Sequence, residues 1–562
     1  RHGPVPSSRR PSYNGPTLKG AWQMDGNHAP QRLGMVVGGS LTKGVDIRLD
    51  DHVSVEEMAV GRFVTIQGQR RRFFGVVTDI ALQHSDPRMP LSPPDAADSF
   101  AAEVMSGTAA FGTIHVAPYL TWDGTEAGLG PAKTVPPHFA EARATDPTEV
   151  ELIFGRRDDE HIWIGSPLDM EEAPVCLNAQ RLIERSTGVF GKTGTGKSFL
   201  TRIVLAQIVQ QSKAVSLIFD MHSEYGWSAR SEAGTEVKGL KQLFSDKVAV
   251  FTVDQRSSQR RGVTVDFVVQ IGFDEITAED VASLAGTLGL NETQVQAAER
   301  LEKGHGRDWL AGFLACEKLD AISDYGGGIE HEGTLQALHR KLQRLERLPF
   351  VTKERHDDSV KRVMEYLQNG KHVVLEFGRY RDKLEAYILV ANLLTRRIHH
   401  QYVEQVERAL SGDGQAPKNL VIAIEEAHKF LSPDVAGYTT FGAIARELRK
   451  YNVTLLVIDQ RPSGIDHEVL SQIGTKMTCL LEDERDVDAV LAGVSGRSEL
   501  RAVLAKLETK QQALIFGHAV PMPVVVRTRT YDADFYRSVG HLTPEERRDA
   551  LDRDADALFG RG

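Results

Sequence analysis

Hydrophobic and polar positions follow different patterns in successive parts of the chain, and each pattern predicts a different kind of structure. From about Leu33 to Ile164 the hydrophobic residues form short alternating or β-branched runs, which glycine and proline interrupt. Examples are "RLGMVVGG", "RFVTIQG", "RRFFGVVTDIAL", "GTIHVAPYL", "TEVELIFG" and "HIWIG". Short strands of this kind, with turn signals and little helical period, are typical of a small barrel or sandwich. We therefore predict an N-terminal β-barrel over residues 31–170.

The next pattern alternates apolar runs with segments of helical period. The predicted strands are "STGVF", "AVSLIFD", "KVAVFTV", "HVVLEFG", "NLVIAIEE", "VTLLVID", "TKMTCLL" and "QALIFG". Several are apolar almost throughout, as is typical of parallel strands whose two faces are both covered by helices. The sequence therefore predicts an α/β core in two parts, over residues 171–254 and 371–530.

A helical stretch separates the two parts of this core. Residues 255–370 include "EDVASLAGTLGLNETQVQAAERLEKG" and "LQALHRKLQRLERL", which have helical period and no convincing strand. We predict a helical insertion there, and a C-terminal extension over residues 531–562 with a helix that starts in a capping box at Thr543. Residues 1–30 are rich in proline, serine and arginine, which is typical of a flexible tail or a tag remnant.

Composition narrows the class of protein. The 562 residues are 41% hydrophobic, so the chain can bury several cores and is not a disordered scaffold. A net charge of −10 argues against a surface coated with positive charge, although a local basic channel for nucleic acid stays open. The three cysteines are far apart and favour neither a disulfide framework nor a zinc site, as expected in a reducing cytoplasm. Since no apolar run approaches the ~20 residues that span a bilayer, we expect no membrane partner.

One glycine-rich stretch predicts a nucleotide site. "GVFGKTGTGKSFL" places four residues between Gly191 and the run Gly196-Lys197-Ser198, which is the spacing of a phosphate-binding loop. A short strand precedes it and a helical period follows, so the helix N-terminus adds partial positive charge. We expect Lys197 to meet the β/γ-phosphates and Ser198 to bind Mg²⁺. The expected nucleotide contacts are Gly191, Thr193, Gly194, Thr195, Gly196, Lys197, Ser198 and Phe199.

Two adjacent acids predict the hydrolytic half of the site. "NLVIAIEEAHKFL" ends a buried strand in Glu425 and Glu426. Such a pair is costly at a strand end unless a cation or a solvent-filled cleft meets it. We expect Glu425 to hold the metal, through water, and Glu426 to polarise the attacking water. Gln460, just past another buried strand, is placed to sense the γ-phosphate or orient that water.

A third polar cluster has two interpretations. Asp220, His222 and Glu224 lie just past the strand that follows the P-loop helix, and such a strand end can lie beside the nucleotide. The three side chains are either outer groups of the metal site or a polar turn. Zinc is disfavoured because no fourth ligand lies at suitable spacing.

Arginines near these motifs are candidates for stabilising the transferred phosphoryl group. Arg446 and Arg449 follow the two acids in "FGAIARELRKYNV", and Arg185 precedes the P-loop. A neighbouring subunit often supplies such an arginine. For any single arginine, a solvated surface or an ion pair is the alternative.

In order, the barrel, "GKTGTGKS", "DMHSEY", "IEEAH", "IARELRK" and "DQRPS" resemble the HerA/FtsK group of RecA-like ring motors, and HerA in particular. The resemblance extends over roughly Leu33 to Asp532. It implies an α/β RecA-like P-loop ATPase core with a HAS-barrel-like N-terminal domain, and ATP and Mg²⁺ as cofactors. It also implies a homo-hexameric ring that translocates on double-stranded DNA and works with a NurA-like nuclease in DNA end processing and recombinational repair.

The resemblance also suggests roles for individual residues. The arginine that acts on the neighbouring subunit corresponds to Arg449, and a second functional arginine ahead of the P-loop corresponds to Arg185. Leu448 departs from the family pattern, which usually has glycine there. A ring motor contacts DNA phosphates from loops in its channel. "DQRSSQRRG", with Arg256, Arg260 and Arg261, is a candidate for such a loop, and a solvated basic turn is the alternative; "GQRRRFF" is better explained as a barrel surface turn.

Other functions stay open at this stage. One is a conjugation or secretion ATPase of the same superfamily. Another is a ring that scaffolds an effector in antiphage defence. A helicase with two RecA-like lobes in one chain is disfavoured, because too few residues follow the sheet near Thr528 to form a second lobe.

Overall fold

The computed structural model describes residues 30–87, 89, 104–105, 109–125, 128–230, 236–328, 331–353, 358–437, 439–447, 450–494 and 496–541. The predicted tail therefore lies almost wholly outside the described residues, and so does the predicted helix at Thr543. Among the described helices, none combines the length and the apolar character needed to cross a membrane.

The N-terminal domain is a closed β-barrel. Its strands are β1 (Arg32–Ser40), β2 (Gly44–Leu49), β3 (Phe63–Gln67), β4 (Arg72–His84), β5 (Ala110–Trp122), β6 (Gly130–Pro131) and β7 (Glu141–Ala144). The order is β2–β1–β7–β3–β4–β5, and β5 pairs back onto β2, so six of the described strands close the ring. Ile47, Val64 and Ile114 fill its interior with no exposed surface. The prediction of a small N-terminal barrel is confirmed.

Two segments that the sequence assigned to barrel strands are placed elsewhere. The prediction of a strand at "TEVELIFG" is wrong, because Pro147–Phe154 is a helix. Asp146 caps the backbone N–H of Glu149, the Glu149 side chain returns to the N-cap backbone, and Pro147 suits the first helical turn. "HIWIG" is a strand, but it pairs with the strand Val524–Thr528 of the larger sheet instead of the barrel.

The larger sheet forms the core of the remaining chain. The strands after the barrel are β8 (His161–Pro167), β9 (Val175–Asn178), β10 (Thr187–Phe190), β11 (Ala214–Asp220), β12 (Ala229–Arg230), β13 (Glu236–Val237), β14 (Val248–Thr252), β15 (Phe267–Val268), β16 (Ile271–Gly272), β17 (Val351–Thr352), β18 (His372–Glu376), β19 (Asn419–Glu425), β20 (Val453–Asp459), β21 (Thr475–Thr478), β22 (Gln512–Gly517) and β23 (Val524–Thr528). Over the described residues the sheet order is β15–β14–β18–β11–β19–β20–β10–β21–β22–β23–β8–β9. The strands from β15 to β21 run parallel, and the last four are antiparallel to their neighbours. This confirms the predicted parallel sheet with buried strands.

Helices cover the sheet and fill the predicted insertion. They are α1 (Pro147–Phe154), α2 (Ala179–Glu184), α3 (Lys197–Gln211), α4 (Leu240–Leu243), α5 (Gln255–Arg260), α6 (Ala278–Ser283), α7 (Ala285–Leu288), α8 (Glu292–His305), α9 (Trp309–Leu314), α10 (Leu319–Tyr325), α11 (Glu332–Glu346), α12 (Asp358–Gln368), α13 (Leu384–Leu410), α14 (His428–Leu431), α15 (Thr440–Glu447), α16 (His467–Gln472), α17 (Glu484–Val490), α18 (Arg497–Leu504) and α19 (Ala533–Ser538). The insertion is mainly helical as predicted, with β15, β16 and β17 as its short strands. Its helices pack on the same apolar core as β11, β14 and β18.

Strand direction positions the functional residues. Because β10, β11, β19 and β20 are parallel, their carboxyl ends meet at one edge of the sheet, where α/β proteins bind ligands. Asp220 and Glu425 are the last residues of their strands, and the P-loop, Glu426 and Gln460 come directly after theirs.

Candidate nucleotide site

The P-loop connects β10 to α3 and is held mainly by its backbone. The N–H of Gly191 donates to the carbonyl of Asp459 at 3.3 Å, and the N–H of Lys192 donates to the carbonyl of Leu480 at 3.1 Å. Gly194 and Gly196 have φ values of 85° and 94°, a region that favours glycine. The loop thus forms an anion-binding turn at the N-terminus of a helix of four turns.

Lys197 is the cation of this turn. Burial lowers the pKa of its ammonium group, while the nearby carboxylates of Glu426, Asp459 and Glu425 act in the opposite direction. Because the side chain is largely withdrawn from water, its charge acts at short range through a medium that screens it weakly. A polyphosphate is the type of ligand that such a lysine binds.

Glu425 ends β19 and is 7% exposed. Its Oε1 accepts a hydrogen bond of 3.0 Å from the Tyr225 hydroxyl, and its buried Oε2 has no hydrogen-bond partner in the described structure. Burial, followed by the charges of Asp220 and Glu224, raises the pKa of Glu425 to about 8. A buried acid with an unused oxygen is a suitable neighbour for a cation.

Glu426 has a left-handed backbone with φ of 50°, which is uncommon for a residue with a side chain. Its Oε1 accepts a hydrogen bond of 2.8 Å from the Gln460 amide. The amide oxygen of Gln460 in turn accepts a bond of 2.5 Å from the Thr193 hydroxyl in the P-loop. Gln460 therefore bridges the phosphate loop and the second acid, which fits its expected role beside the γ-phosphate.

A pair formed by the buried Asp459 and the half-buried His428 was missed by the sequence reasoning. Asp459, with no exposed surface, accepts bonds from the His428 N–H at 2.7 Å and from its ring Nδ1 at 2.9 Å. Burial raises the pKa of Asp459, but its bonds to His428 and to the N–H of Arg461 outweigh this, and the pKa lies below its usual value. The pair fixes the chain that follows the two acids. Only the His in "EEAH" hinted at it.

Asp220 binds the backbone of the turn that follows β11. Its Oδ1 accepts the N–H of Glu224 at 2.8 Å, and its Oδ2 accepts those of Tyr225 and Gly226 at 2.8 and 3.1 Å. Both of its oxygens are therefore engaged by the turn. His222 and Glu224 line the pocket itself. The cluster thus divides into one residue that builds the turn and two that face the ligand space.

The pocket between these groups has a volume of about 280 Å³. It is lined by Lys192, Thr193, Gly194, Gly196, Lys197, Ser198, Phe199, Arg202, His222, Glu224, Glu425, Glu426, Ile458 and Gln460. Because it joins a P-loop, a half-buried lysine and a carboxyl oxygen without a partner, the donor set fits a nucleotide polyphosphate and Mg²⁺. Ser198 and Glu425 are the residues that would hold the cation, which supplies charge neutralisation at the phosphates.

A cleft of about 590 Å³ on the barrel is larger, and its lining includes Val36, Phe73, Arg70 and Arg71. In the described lining it has no carboxylate and no P-loop. The smaller pocket is therefore the candidate site, because it holds the groups that catalysis needs.

The two predicted arginines that the structure describes, Arg185 and Arg446, do not line this pocket. Arg185 follows α2 at the amino end of β10, so it lies at the opposite end of that strand from the P-loop, and it is exposed. Arg446 is exposed on α15, and Arg449 lies outside the described residues. Among the described residues that line the pocket, the only arginine is Arg202, which bonds the carbonyl of Glu224 at 3.2 Å.

The predicted DNA-contacting segment differs from expectation. "DQRSSQRRG" forms the helix α5 instead of a loop, because the Asp254 side chain caps the N–H of Ser257. Arg256 and Arg260 are exposed on it. Arg261 forms an ion pair with the buried Glu376 and is thereby engaged within the fold.

Comparison with known proteins agrees with the geometry of this site. Residues 162–398, from β8 into α13, match the family model of the central domain of helicase HerA. The chain carries a HerA-type P-loop ATPase domain. The resemblance drawn from its motifs is thereby confirmed. The HerA-type domain includes the P-loop and the turn after β11, while Glu425, Glu426 and Gln460 follow it in the chain.

Several proteins similar to this chain bear related names. A DNA double-strand break repair helicase HerA from Pyrococcus furiosus is 23% identical over 404 residues, which cover 67% of this chain and 70% of that protein. The protein of the same name from Saccharolobus solfataricus is 25% identical over 406 residues, 70% of this chain and 74% of that one.

Two solved structures show partial similarity to this chain. VirB4 of Thermoanaerobacter pseudethanolicus has a TM-score of 0.42 and 13% identity, covering 67% of this chain and 99% of that one. The plasmid coupling protein TrwB in complex with ADP and Mg²⁺ has a TM-score of 0.41 and 13% identity, covering 63% and 87%. At these scores neither structure bears on the function of this chain.

Proposed function

We propose that this HerA-type chain is a cytoplasmic ATP-driven motor that assembles as a hexameric ring and translocates on double-stranded DNA. The observation that carries the proposal is the pocket in which Lys197, Ser198, Glu425, Glu426 and Gln460 converge. These groups supply phosphate binding, a cation site and a base, which are the parts that phosphoryl transfer to water requires. The relatives named DNA double-strand break repair helicases support DNA as the track.

In this proposal each residue has one role. Lys197 binds the β/γ-phosphates of ATP, and Ser198 with Glu425 holds Mg²⁺. Glu426 accepts the proton of the attacking water, and Gln460 orients the terminal phosphate while it stays bonded to Thr193 and Glu426. A general base at this position contributes about 10²–10⁴-fold to the rate.

The arginine content of the pocket supports the proposal of a ring. Among the described lining residues only Arg202 is an arginine, and it is already bonded to Glu224. Charge on the transferred phosphoryl group then needs a guanidinium from elsewhere. We propose that Arg449 of a neighbouring subunit supplies it, with Arg185 as a second group at that interface, so that hydrolysis in one subunit depends on the next.

DNA-dependent turnover tests the motor. We expect the purified chain to hydrolyse ATP faster when duplex DNA is present, and the stimulation to fall steeply between about 50 and 200 mM salt because phosphate contacts release counterions. Electron microscopy with an ATP analogue should show six-fold rings that enclose the duplex. Turnover by an isolated monomer at the full rate, with no response to DNA, would contradict the proposal.

Mixed rings test the shared site. Arg449→Ala and Glu426→Ala should each abolish hydrolysis alone, and mixtures of the two should recover part of it, because some interfaces then receive an intact Glu426 and an intact arginine. A mixture that stays inactive at every ratio would argue against an arginine that acts between subunits.

The partner is the least specified part of the proposal. We propose a NurA-like nuclease, with which the ring processes DNA ends for recombinational repair. Affinity capture followed by mass spectrometry separates this from a ring in antiphage defence: a NurA-like nuclease supports repair, whereas a sirtuin-like effector or a nuclease of another type supports the alternative.

A further inference from the structure

The carboxyl group of Glu425 is oriented by a single side chain. The Tyr225 hydroxyl donates to Oε1 at 3.0 Å, and Tyr225 is 1% exposed. A second buried tyrosine, Tyr387, contacts the same residue but bonds only its main chain, at 2.9 Å to the carbonyl and 3.2 Å from the N–H. Tyr225 therefore bonds the carboxyl group of Glu425, and Tyr387 bonds its main chain.

Tyr225 is placed by the turn that Asp220 builds. Because the two Asp220 oxygens accept the N–H groups of three successive residues, from Glu224 to Gly226, the backbone of Tyr225 cannot shift without breaking these bonds. Asp220 has no exposed surface, and a buried acceptor that loses its donors is costly. The hydroxyl is therefore held at a fixed position relative to the end of β11.

The same turn is clamped from two further sides. On one side, Arg202 of the P-loop helix α3 donates to the carbonyl of Glu224 at 3.2 Å. On the other side, Gly226 packs against Glu376 so closely that a Cβ at this position would lie 2.5 Å from the Glu376 Oε1. Glu376 is itself paired with Arg261. The turn therefore contacts the P-loop helix through Arg202 and contacts Glu425, at the end of β19, through Tyr225.

We propose that Tyr225 is a positioning residue for ATP hydrolysis: it occupies one oxygen of Glu425 and leaves only the other for the cation side of the site. The proposal rests on the proposed ATPase function and assigns a role in it to the "DMHSEY" segment. Without the hydroxyl, the Glu425 carboxyl loses the side chain that orients it, while the P-loop contacts to the phosphates stay intact. The Mg²⁺-dependent gain in nucleotide affinity and the rate of hydrolysis should then fall, whereas nucleotide binding without Mg²⁺ should not.

Tyr225→Phe tests this, with Tyr387→Phe as the matched control. Both variants remove one buried hydroxyl next to Glu425, but only the first touches its carboxyl group. Binding of a fluorescent ATP analogue is measured with and without Mg²⁺, alongside kcat, KM and thermal unfolding. Loss of a group that orients a metal ligand typically costs about 10–100-fold in metal affinity or activity.

We expect Tyr225→Phe to bind the analogue normally without Mg²⁺, to lose about tenfold of the Mg²⁺-dependent gain in affinity, and to lose about tenfold in kcat. Tyr387→Phe should lose comparable thermal stability and keep its Mg²⁺ response. The inference is overturned if Tyr225→Phe keeps both the Mg²⁺ response and kcat, or if the two variants lose them equally.

A double-mutant cycle gives an independent outcome. If Tyr225 acts through Glu425, then adding Tyr225→Phe to Glu425→Gln changes the Mg²⁺ response no further. An additive loss would contradict the inference. Should Tyr225→Phe fail to fold, Asp220→Asn loosens the same turn from behind and should weaken the Mg²⁺ response in the same direction; an unchanged response would overturn the inference. A wild-type chain that neither binds the analogue nor hydrolyses ATP would instead refute the proposed function itself.

Discussion

The two halves of the nucleotide pocket are held in place by different kinds of contact. The phosphate half is fixed by its own main chain: the N–H groups of Gly191 and Lys192 bond the carbonyls of neighbouring segments. The carboxylate half is fixed by side chains, with the buried Tyr225 on Glu425 and the half-buried Gln460 on Glu426. A loop held by backbone depends on glycine spacing and can be recognised in one short stretch. A side-chain frame brings together residues far apart in sequence, so it emerges only in the fold.

The largest expected effect breaks the phosphate half. Lys197→Ala removes the half-buried cation of the P-loop, and we expect a loss of about 10²–10³-fold or more in kcat/KM for ATP, because a charge-stabilising donor in a weakly screened site is lost. Circular dichroism should show an intact fold, since the loop is held by its backbone. Near-normal turnover in this variant would remove the site assignment.

The second effect breaks the frame behind the carboxylate half. Arg261→Gln leaves the buried Glu376 without its ion-pair partner, and we expect a loss of about 2 kcal/mol in the free energy of unfolding. Arg260→Gln is the matched control one residue away, because Arg260 is exposed and its loss should change stability by less than about 0.5 kcal/mol. Denaturant titration measures both. Equal losses would contradict the anchoring role of Arg261.

The third prediction concerns how the stability of the folded chain depends on pH. The pKa of Glu425 is raised to about 8 in the folded chain without ligand, so the folded state binds more protons than the unfolded state above the ordinary pKa near 4.5. Stability contributed by this group therefore falls as pH rises, through the window that ends near 8. We expect the wild type to lose stability relative to Glu425→Gln between pH 6.5 and 8, by on the order of 1 kcal/mol per pH unit.

Thermal unfolding of both proteins, without nucleotide and Mg²⁺, measures this difference. His372, whose pKa burial lowers to about 3 from an ordinary value of 6.5, is present in both proteins, so its contribution cancels from the difference. A difference that stays constant with pH would show that the carboxyl group is already ionised in the folded chain.

The smallest effect concerns the exposed arginines of α5. If Arg256 and Arg260 contact DNA phosphates, replacing either by glutamine should weaken duplex binding only a few-fold and lower the salt slope by about 1. Fluorescence anisotropy at several salt concentrations measures both quantities. An unchanged slope in both variants would remove α5 from the DNA interface.

The predictable part of the structure is the part that local pattern encodes. The strands β10, β11, β19 and β20 were recognisable because each is mostly apolar and leads into residues of the site. The helix α1 was mistaken for a strand, because a capping box at Asp146 and a proline at the first position outweigh a short alternating run. In this segment the capping box and the proline at its start indicate the secondary structure better than the short alternating run does.

Contacts between distant segments explain what the sequence did not predict in the site. The bonds of Tyr225 to Glu425 and of His428 to Asp459 join residues whose motifs were visible but whose partners were not. In the sequence, Arg261 belongs to a basic run and has no visible partner. The register of β11 and β18 places Glu376 next to Asp220, where Glu376 forms an ion pair with Arg261. Such pairings depend on strand order, which a single sequence does not specify.

If Glu426 performs the hydrolytic step, the phosphate half of the pocket should still bind ATP when its carboxylate is removed. Measuring ATP affinity and single-turnover hydrolysis for the wild type and for Glu426→Gln tests this most directly. We predict an ATP affinity that changes little and a rate that falls by about 10²–10⁴-fold, the contribution of a general base. Hydrolysis by Glu426→Gln at close to the wild-type rate would contradict it.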